Sequence, residues 1–164
     1  MAPTDDPSIY SASIDHQLPI FIDEHREMLS RILDGVTEAE ARAQLVASKT
    51  TLLGLVKHAT FVERVWFDEA VTGRSREDLG IVAGPDESFD LHADDSIASV
   101  RLAHRTAVEE SRAAVQGLGL DDLLPGNRRG PLPLRWIYLH VLRELAQHCG
   151  HADILREQLL ARRS

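Results

Sequence analysis

Seven positions near the C-terminal end follow the three- and four-residue spacing of a helix face that packs against other helices. The occupants are Leu134, Ile137, Val141, Glu144, His148, His151 and Leu155. Aliphatic residues hold both ends of this stripe, whereas three ionisable residues hold its middle. At about 100° per residue, Glu144, His148 and His151 fall within an arc of about 60°. The spacing therefore predicts that these three side chains face the protein interior together.

Buried ionisable groups need partners, because an unpaired one costs several kcal/mol. One explanation is a metal ion, since a Glu and a His four residues apart stand one above the other and give two ligands from one helix. The other is a hydrogen-bond network in which Glu144 pairs with a charged histidine. The spacing alone leaves both explanations open.

A second helix favours the metal explanation. His58 lies on the stripe Leu55, His58, Val62 and Val65, again at three- and four-residue steps. Together with Glu144 and His148 it makes three ligands and leaves a coordination position open, as in catalytic zinc sites. His148 and His151 could also chelate, so His151 is either an alternative ligand or a base beside the metal.

Other reactive residues fit the pattern less well. His140 stands one turn before Glu144, but at the edge of the arc. Cys149 points about 100° away from His148 and is expected to be a small packing residue. Glu63 lies off the stripe of its helix and is expected on a solvated, salt-bridged face. His104 has no candidate partners around it.

The rest of the sequence predicts an all-α protein. Four amphipathic segments are expected at about 15–36, 52–71, 96–115 and 134–160, and no alternating β pattern is found. A long connection at 73–94 and a second long loop before the last helix fit a four-helix bundle with a long crossover connection. Residues 1–14 are expected to form an arm over the surface, and 15–164 a single domain.

Signals for helix ends support these boundaries. The Ser/Thr-rich stretch before residue 52 offers N-caps for the second helix, which Gly73 is expected to end. A short helical turn is expected just after Thr37. Asp94 or Asp95 is expected to cap the third helix, and Pro133 to be the first residue of the fourth.

Composition limits the partners. The 164 residues include 26 acidic and 18 basic ones, a formal charge of −8, which argues against binding to nucleic acid or anionic membranes. Cys149 is the only cysteine, so no intramolecular disulfide is expected. Neither a signal peptide nor a membrane-length apolar run is found. We therefore expect a cytoplasmic protein with small-molecule partners.

Two motifs resemble those of the DinB-like superfamily, in particular its uncharacterised actinobacterial branch. They are "TTLLGLVKHATFVERVWF" and "PLRWIYLHVLRELAQHCGHADILREQL", and the resemblance runs from about residue 15 to 160. It implies a four-helix bundle with an unusual helix order and a divalent metal. It also implies that one ligand comes from the second helix and two from the last, here His58, Glu144 and His148.

The resemblance extends to mycothiol-dependent maleylpyruvate isomerase and thiol S-transferases. It implies a metal-dependent transferase that activates a low-molecular-weight thiol, mycothiol-like, for addition to a small electrophile. Zinc is the expected metal, with nickel, manganese and iron as alternatives. The competing hypotheses are a non-catalytic, dimeric metal-binding stress protein and a metal-dependent hydrolase. A homodimer is compatible with each.

Overall fold

The computed structural model describes residues 7–163, and most of them are helical. The helices are α1 Ile14–Arg31, α2 Glu38–Ala41, α3 Leu52–Glu63, α4 Ala70–Thr72, α5 Ile97–Ala114 and α6 Leu134–Ala161. The π-helical segment Arg64–Glu69 joins α3 to α4, so the predicted second helix is nearly continuous from residue 52 to 72. The prediction of an all-α protein is confirmed.

Capping side chains fix the starts of α2 and α3, and the cap from the Ser/Thr-rich stretch before α3 was predicted. The Thr51 hydroxyl accepts a hydrogen bond of 2.9 Å from the backbone N–H of Gly54, and Thr37 forms a capping box with Glu40. At the C-terminal end of the nearly continuous helix 52–72, Gly73 takes the left-handed conformation, with a φ of 68°. Gly73 therefore ends the second helix as expected.

The predicted cap of the third helix was wrong. Ser96 caps α5, because its hydroxyl accepts from the backbone N–H of Ser99 in a reciprocal capping box. Asp95 instead turns its carboxylate to Lys57, at 2.7 Å. A carboxylate that is held by a lysine on another element is not free to cap the following helix.

Two other predicted ends are corrected. α1 ends at Arg31 and not near residue 36, because the chain turns at Gly35, whose φ is 67°. Pro19 lies inside α1, where its missing N–H removes one backbone hydrogen bond without ending the helix. Pro133 is the N-cap of α6 and not its first residue.

A small antiparallel ladder lies between α5 and α6. It pairs the two-residue strands β1 Leu123–Leu124 and β2 Leu132–Pro133. The sequence analysis found no β pattern, because two residues are too few for alternation to show. The ladder closes the loop 125–131, and β2 leads directly into α6.

The long helices pack in pairs around a single apolar core. α1 packs along α6, α5 packs along α3, and α3 also contacts α6. Fully buried aliphatic side chains from three of these helices meet in the core: Ile22, Leu29, Leu53, Leu55, Ile137 and Leu145. None of the helices within residues 7–163 is long and apolar enough to cross a membrane.

The expectation of a solvated Glu63 was wrong. Its side chain is fully buried, and its two carboxylate oxygens accept hydrogen bonds of 2.8 and 2.6 Å from Arg26 of α1. α1, α5 and α6 all contact α3, so a residue off its main stripe can be enclosed as well. His104 of α5 is also buried, and this burial lowers its pKa, which the charges of Glu63 and Arg26 also influence.

The segment predicted as an N-terminal arm is described only in part, since residues 1–6 lie outside the described residues. Residues Pro7–Ser11 form a 3-10 turn. Within it Ile9 is buried, and its carbonyl accepts a hydrogen bond of 2.9 Å from the Gln17 side chain. This turn is therefore attached to the first part of α1.

Candidate metal centre

Three side chains from two helices meet at the junction of α3 and α6. His58 comes from α3, and Glu144 and His148 come from α6. One possible ligand atom from each residue can be chosen so that all three lie within 4.8 Å of one another. His58 is buried, and the other two are half-buried. These are three of the four residues to which the helical spacing points, and they are the three that the family resemblance implies as ligands.

His151 does not join this cluster. Its side chain is exposed, and its ring centroid lies 5.6 Å from that of His148. The expectation that it faces the interior with Glu144 and His148 was wrong. A strict three-four repeat has a period of 3.5 residues and drifts by about 20° per heptad around a straight helix, so the core contact moves to Leu145, Cys149 and Ala152.

The ring of His58 is held by a turn of the long connection. The 3-10 turn Glu87–Phe89 lies against α3. The Phe89 ring stacks on the imidazole at a centroid distance of 4.1 Å and an angle of 11°. Ser88 Oγ lies 2.6 Å from His58 Nδ1. The turn therefore clamps both the plane and one edge of the imidazole.

The Ser88 contact also selects the tautomer of His58. The Ser88 hydroxyl donates its single proton to the carbonyl of Pro85. It can therefore only accept from His58, whose Nδ1 must carry the proton. His58 Nε2 is then left with a lone pair, as a metal ligand requires.

A glycine lets this turn approach α3 so closely. A Cβ atom at Gly54, one turn before His58, would lie 3.2 Å from the Phe89 carbonyl oxygen. Sequence analysis missed Ser88 and Phe89, because they lie in an acidic connection without helical or strand period. No signal within that segment identifies them.

The electrostatics of the cluster favour the protonation states of metal ligands. Burial, and then the neighbouring His148, lower the pKa of His58 to about 4, so its imidazole is neutral at pH 7. The pKa of Glu144 is also lowered, chiefly by its interaction with His148, whose Nε2 lies 3.6 Å from a Glu144 carboxylate oxygen. A neutral imidazole and an ionised carboxylate are the forms that bind divalent cations.

One nitrogen atom in the cluster lacks a hydrogen bond within the described part of the chain, which also fits a site for a cation. His148 Nδ1 is buried and has no hydrogen-bond partner among residues 7–163. Two imidazoles and one carboxylate form a donor set that suits zinc and other divalent first-row metals. Three protein ligands leave a coordination position open for a further molecule.

His140 borders the cluster on its other side. Its Nε2 lies 3.9 Å from a Glu144 carboxylate oxygen. Its ring stacks on Trp136 at 5.1 Å and contacts Trp66 at 4.0 Å. Burial lowers its pKa. His140 thus connects the Glu144 side of the cluster to a pair of indole rings.

Cys149 takes no part in the cluster. It is buried on the core side of α6, and its Sγ lies 3.5 Å from the carbonyl of His25. Burial raises the pKa of its thiol to about 11. The prediction of a packing residue is confirmed.

A cavity of about 380 Å³ adjoins the cluster. His58 and Glu144 lie in its lining together with the buried side chains of Phe61 and Trp66. Arginines from two loops complete its wall: Arg76, Arg128 and Arg129. Sequence analysis assigned these arginines no role.

Fold and site together define a helical protein with a candidate metal centre that opens onto a small-molecule cavity. A family model described as mycothiol-S-transferase matches residues 17–161. The chain therefore belongs to the mycothiol-S-transferase family, and the expected relation to the DinB-like superfamily and its mycothiol enzymes is confirmed. A search among curated proteins gave no match.

Proposed function

We propose that the protein is a divalent-metal-dependent transferase that joins a low-molecular-weight thiol, mycothiol or a similar compound, to a small electrophile. The observation that carries this proposal is the position of His58 and Glu144 in the lining of the cavity. A molecule in that cavity lies beside the candidate ligands. The match to the mycothiol-S-transferase family supports the choice of a thiol.

His58, Glu144 and His148 would hold the metal. When bound, a divalent cation would lower the pKa of a thiol that binds to it and would so provide a thiolate nucleophile near pH 7. Ser88 keeps the proton on His58 Nδ1 and so keeps Nε2 free. Phe61 and Trp66 give the cavity apolar walls that exclude water.

His151 suits the role of a base better than that of a ligand. Its imidazole is exposed next to His148 and lies outside the cluster of ligand atoms. In an addition reaction this imidazole would accept the proton that the thiol loses when it becomes a thiolate, before the sulfur–carbon bond forms. The electron pair of the electrophile's double bond moves to the neighbouring carbon, which then takes up a proton.

We further propose a single-domain bundle, zinc as the metal and the cytoplasm as the compartment. We take residues 15–164 as one four-helix domain of DinB-like type, with residues 73–94 as its long crossover connection. Zinc is the metal that we favour, with nickel, manganese and iron as alternatives. The single cysteine is a buried free thiol, which suits a reducing compartment such as the cytoplasm.

One observation favours the alternative of a dimeric metal-binding scaffold. Ile14, Phe21 and Met28 are exposed and recur every seven residues along α1. Residues seven apart lie on the same face of a helix. A second copy packing on this face would cover an apolar stripe without touching the candidate metal centre.

A thiol-transfer assay distinguishes these functions. Zinc-loaded protein without a His-tag is incubated with mycothiol or bacillithiol and a fluorogenic electrophile. We expect His148→Ala to reduce turnover at least about 100-fold and Gln147→Ala, an exposed neighbour on α6, to leave it unchanged. Turnover that survives replacement of all three ligands would overturn the proposal.

Two controls cover the competing functions. Turnover of an ester or amide substrate in the absence of thiol would indicate a hydrolase. A dimer in light scattering that binds metal but gives no turnover with either thiol would indicate the scaffold.

A further inference from the structure

The cavity beside the candidate metal centre carries a charge opposite to that of the chain. The protein has a formal charge of −8, yet three arginines lie in this one wall. Glu69 pairs with two of them: Arg76 Nε lies 2.9 Å from one of its oxygens, and Arg128 Nε lies 3.7 Å from the other. One carboxylate thus faces two guanidinium groups, and a net positive charge remains.

Arg129 adds a further positive charge. Within residues 7–163 no salt bridge includes it. Its guanidinium lies over two indole rings instead, 5.8 Å from the centroid of Trp66 and 5.7 Å from that of Trp136. A guanidinium stacked on aromatic rings keeps its N–H groups free, and their planar arrangement matches a carboxylate.

The loop 125–131, which carries Arg128 and Arg129, is fixed in place. Asn127 is buried, and its side-chain oxygen accepts a hydrogen bond of 2.9 Å from the backbone N–H of Arg129. Gly126 donates to the carbonyl of Ala70 at 2.9 Å. A Cβ atom at Gly126 would lie 2.2 Å from the Glu69 carbonyl oxygen. The guanidinium groups are therefore presented from a backbone that is pressed against the end of the π-helical segment.

One carboxylate also lines this cavity. Glu144 lies in the lining next to His58. In the metal-free protein, Glu144 repels an anionic group on a bound molecule and Arg129 attracts it. The apolar remainder of that molecule lies along Phe61 and Trp66, and its uncharged end reaches His58 and Glu144.

We infer that this cavity binds an electrophile that carries a carboxylate, with the carboxylate on Arg129 and the electrophilic carbon turned toward the candidate metal centre. The volume of about 380 Å³ suits a small organic acid. That the occupant is the electrophile rests on the proposed function, whereas the binding of a carboxylate rests only on the cavity.

The fluorescence of the protein can test the binding directly. Trp66 and Trp136 are the only tryptophans of the chain, and both contact Arg129. Benzoate and its neutral isostere benzamide are titrated into the protein as purified. We expect saturable quenching by benzoate, with an affinity at least about fivefold above that of benzamide.

Variants assign the effect to the cavity. Arg129→Gln should weaken benzoate binding about tenfold, whereas Arg162→Gln, an exposed arginine at the end of α6, should leave it unchanged. Arg129→Lys keeps the charge without the planar fork and should give an intermediate affinity. Circular dichroism checks that each variant is folded. Equal affinities for the two probes, or no effect of Arg129→Gln, would overturn the inference.

Two further measurements separate this inference from the metal centre and from the thiol. Benzoate binding should persist in His148→Ala; its loss there would assign the carboxylate to the metal and overturn the inference. In the transfer assay, Arg129→Gln should raise the KM of a carboxylate-bearing electrophile and leave the KM of the thiol unchanged. The reverse result, or the absence of any transfer while benzoate still binds, would overturn the assignment to the electrophile.

Discussion

The imidazole rings of His58 and His148 meet edge to face, with their centroids 4.6 Å apart, although they come from different helices. Two charged imidazoles at this distance would repel each other. Burial together with this neighbour lowers the pKa of His58 to about 4, so the contact forms between helices without that repulsion at pH 7. The same condition leaves a neutral imidazole next to Glu144, as the proposed metal centre requires.

Ser88→Ala should weaken metal binding without removing any ligand. Without its hydroxyl, His58 loses the hydrogen-bond acceptor that holds the proton on Nδ1, so both tautomers become populated. Loss of such a partner costs roughly 10–100-fold in metal affinity. Competition titration with a chromophoric zinc chelator measures the change, and ¹⁵N chemical shifts of the imidazole report the tautomer. Ser111→Ala, also buried but on α5, is the matched control, and equal affinities in the two variants would contradict the role of Ser88.

Acidification should destabilise the metal-free protein, because His58 binds a proton more readily in the unfolded chain than in the folded one. Between pH 6.5 and about 4 the unfolded chain binds a proton at this residue and the folded chain does not. The free energy of unfolding should therefore fall as the pH falls through this window, by at most roughly 3 kcal/mol from His58, and this contribution should level off below pH 4. His104 and His140, whose pKa values are also lowered, act in the same direction.

Urea unfolding at several pH values measures this dependence. His58→Asn removes the titrating group and should give a shallower slope between pH 6.5 and 4. Glu144 contributes to the pH dependence of the free energy of unfolding only below pH 4.5, because its pKa is lowered from that value in the folded protein. Equal slopes for the wild type and His58→Asn would contradict the assignment.

Gly126→Ala should destabilise the protein and displace the arginine loop. The added Cβ would lie 2.2 Å from one backbone atom and 2.5 Å from another, the Gly73 nitrogen. Neither can move without shifting α4, so we expect a loss of roughly 1–3 kcal/mol. Gly150→Ala is the matched control: nothing lies within 4 Å of the added methyl group, and alanine stabilises a helix interior by up to about 1 kcal/mol. Chemical denaturation of both variants measures the contrast, which a neutral Gly126→Ala would contradict.

Cys149→Ala should leave metal content and thiol transfer unchanged. The Cys149 thiol is buried, and its pKa of about 11 keeps it protonated near pH 7. Only packing is lost, at a cost of about 1 kcal/mol. A thiol-specific reagent should react slowly with the folded wild type and rapidly in denaturant. Rapid labelling of the native state, or transfer activity lost in this variant, would show that the cysteine takes part in the reaction.

The sequence predicts this fold and centre where residues repeat with the helical period. His58, Glu144 and His148 interrupt apolar stripes on two long helices, and this interruption identifies them. Glu63 shows the limit of the approach, because a stripe describes one face, whereas α3 is enclosed by three helices. Its buried pairing with Arg26 depends on the helix packing and not on local spacing.

Residues on the connections could not be predicted in this way. A Cβ atom at Gly54 would crowd the turn that carries Ser88, and one at Gly126 would clash with the backbone of Glu69 and Gly73 beside the loop that carries Arg129. Such approaches join segments far apart in the chain, and aperiodic loops carry no pattern that records them. His151 illustrates the opposite error, in which the sequence pattern predicts burial that the structure does not show. It continues the three- and four-residue spacing, but its side chain is exposed to solvent.

Metal content is the most direct test of the candidate centre. Protein without a His-tag is dialysed against zinc and then against buffer, and its metal is quantified by elemental analysis. We expect about one ion per chain in the wild type and in His151→Ala, and almost none in His58→Ala or His148→Ala. Equal metal in the wild type and His148→Ala, or negligible metal in both, would contradict a centre built from His58, Glu144 and His148.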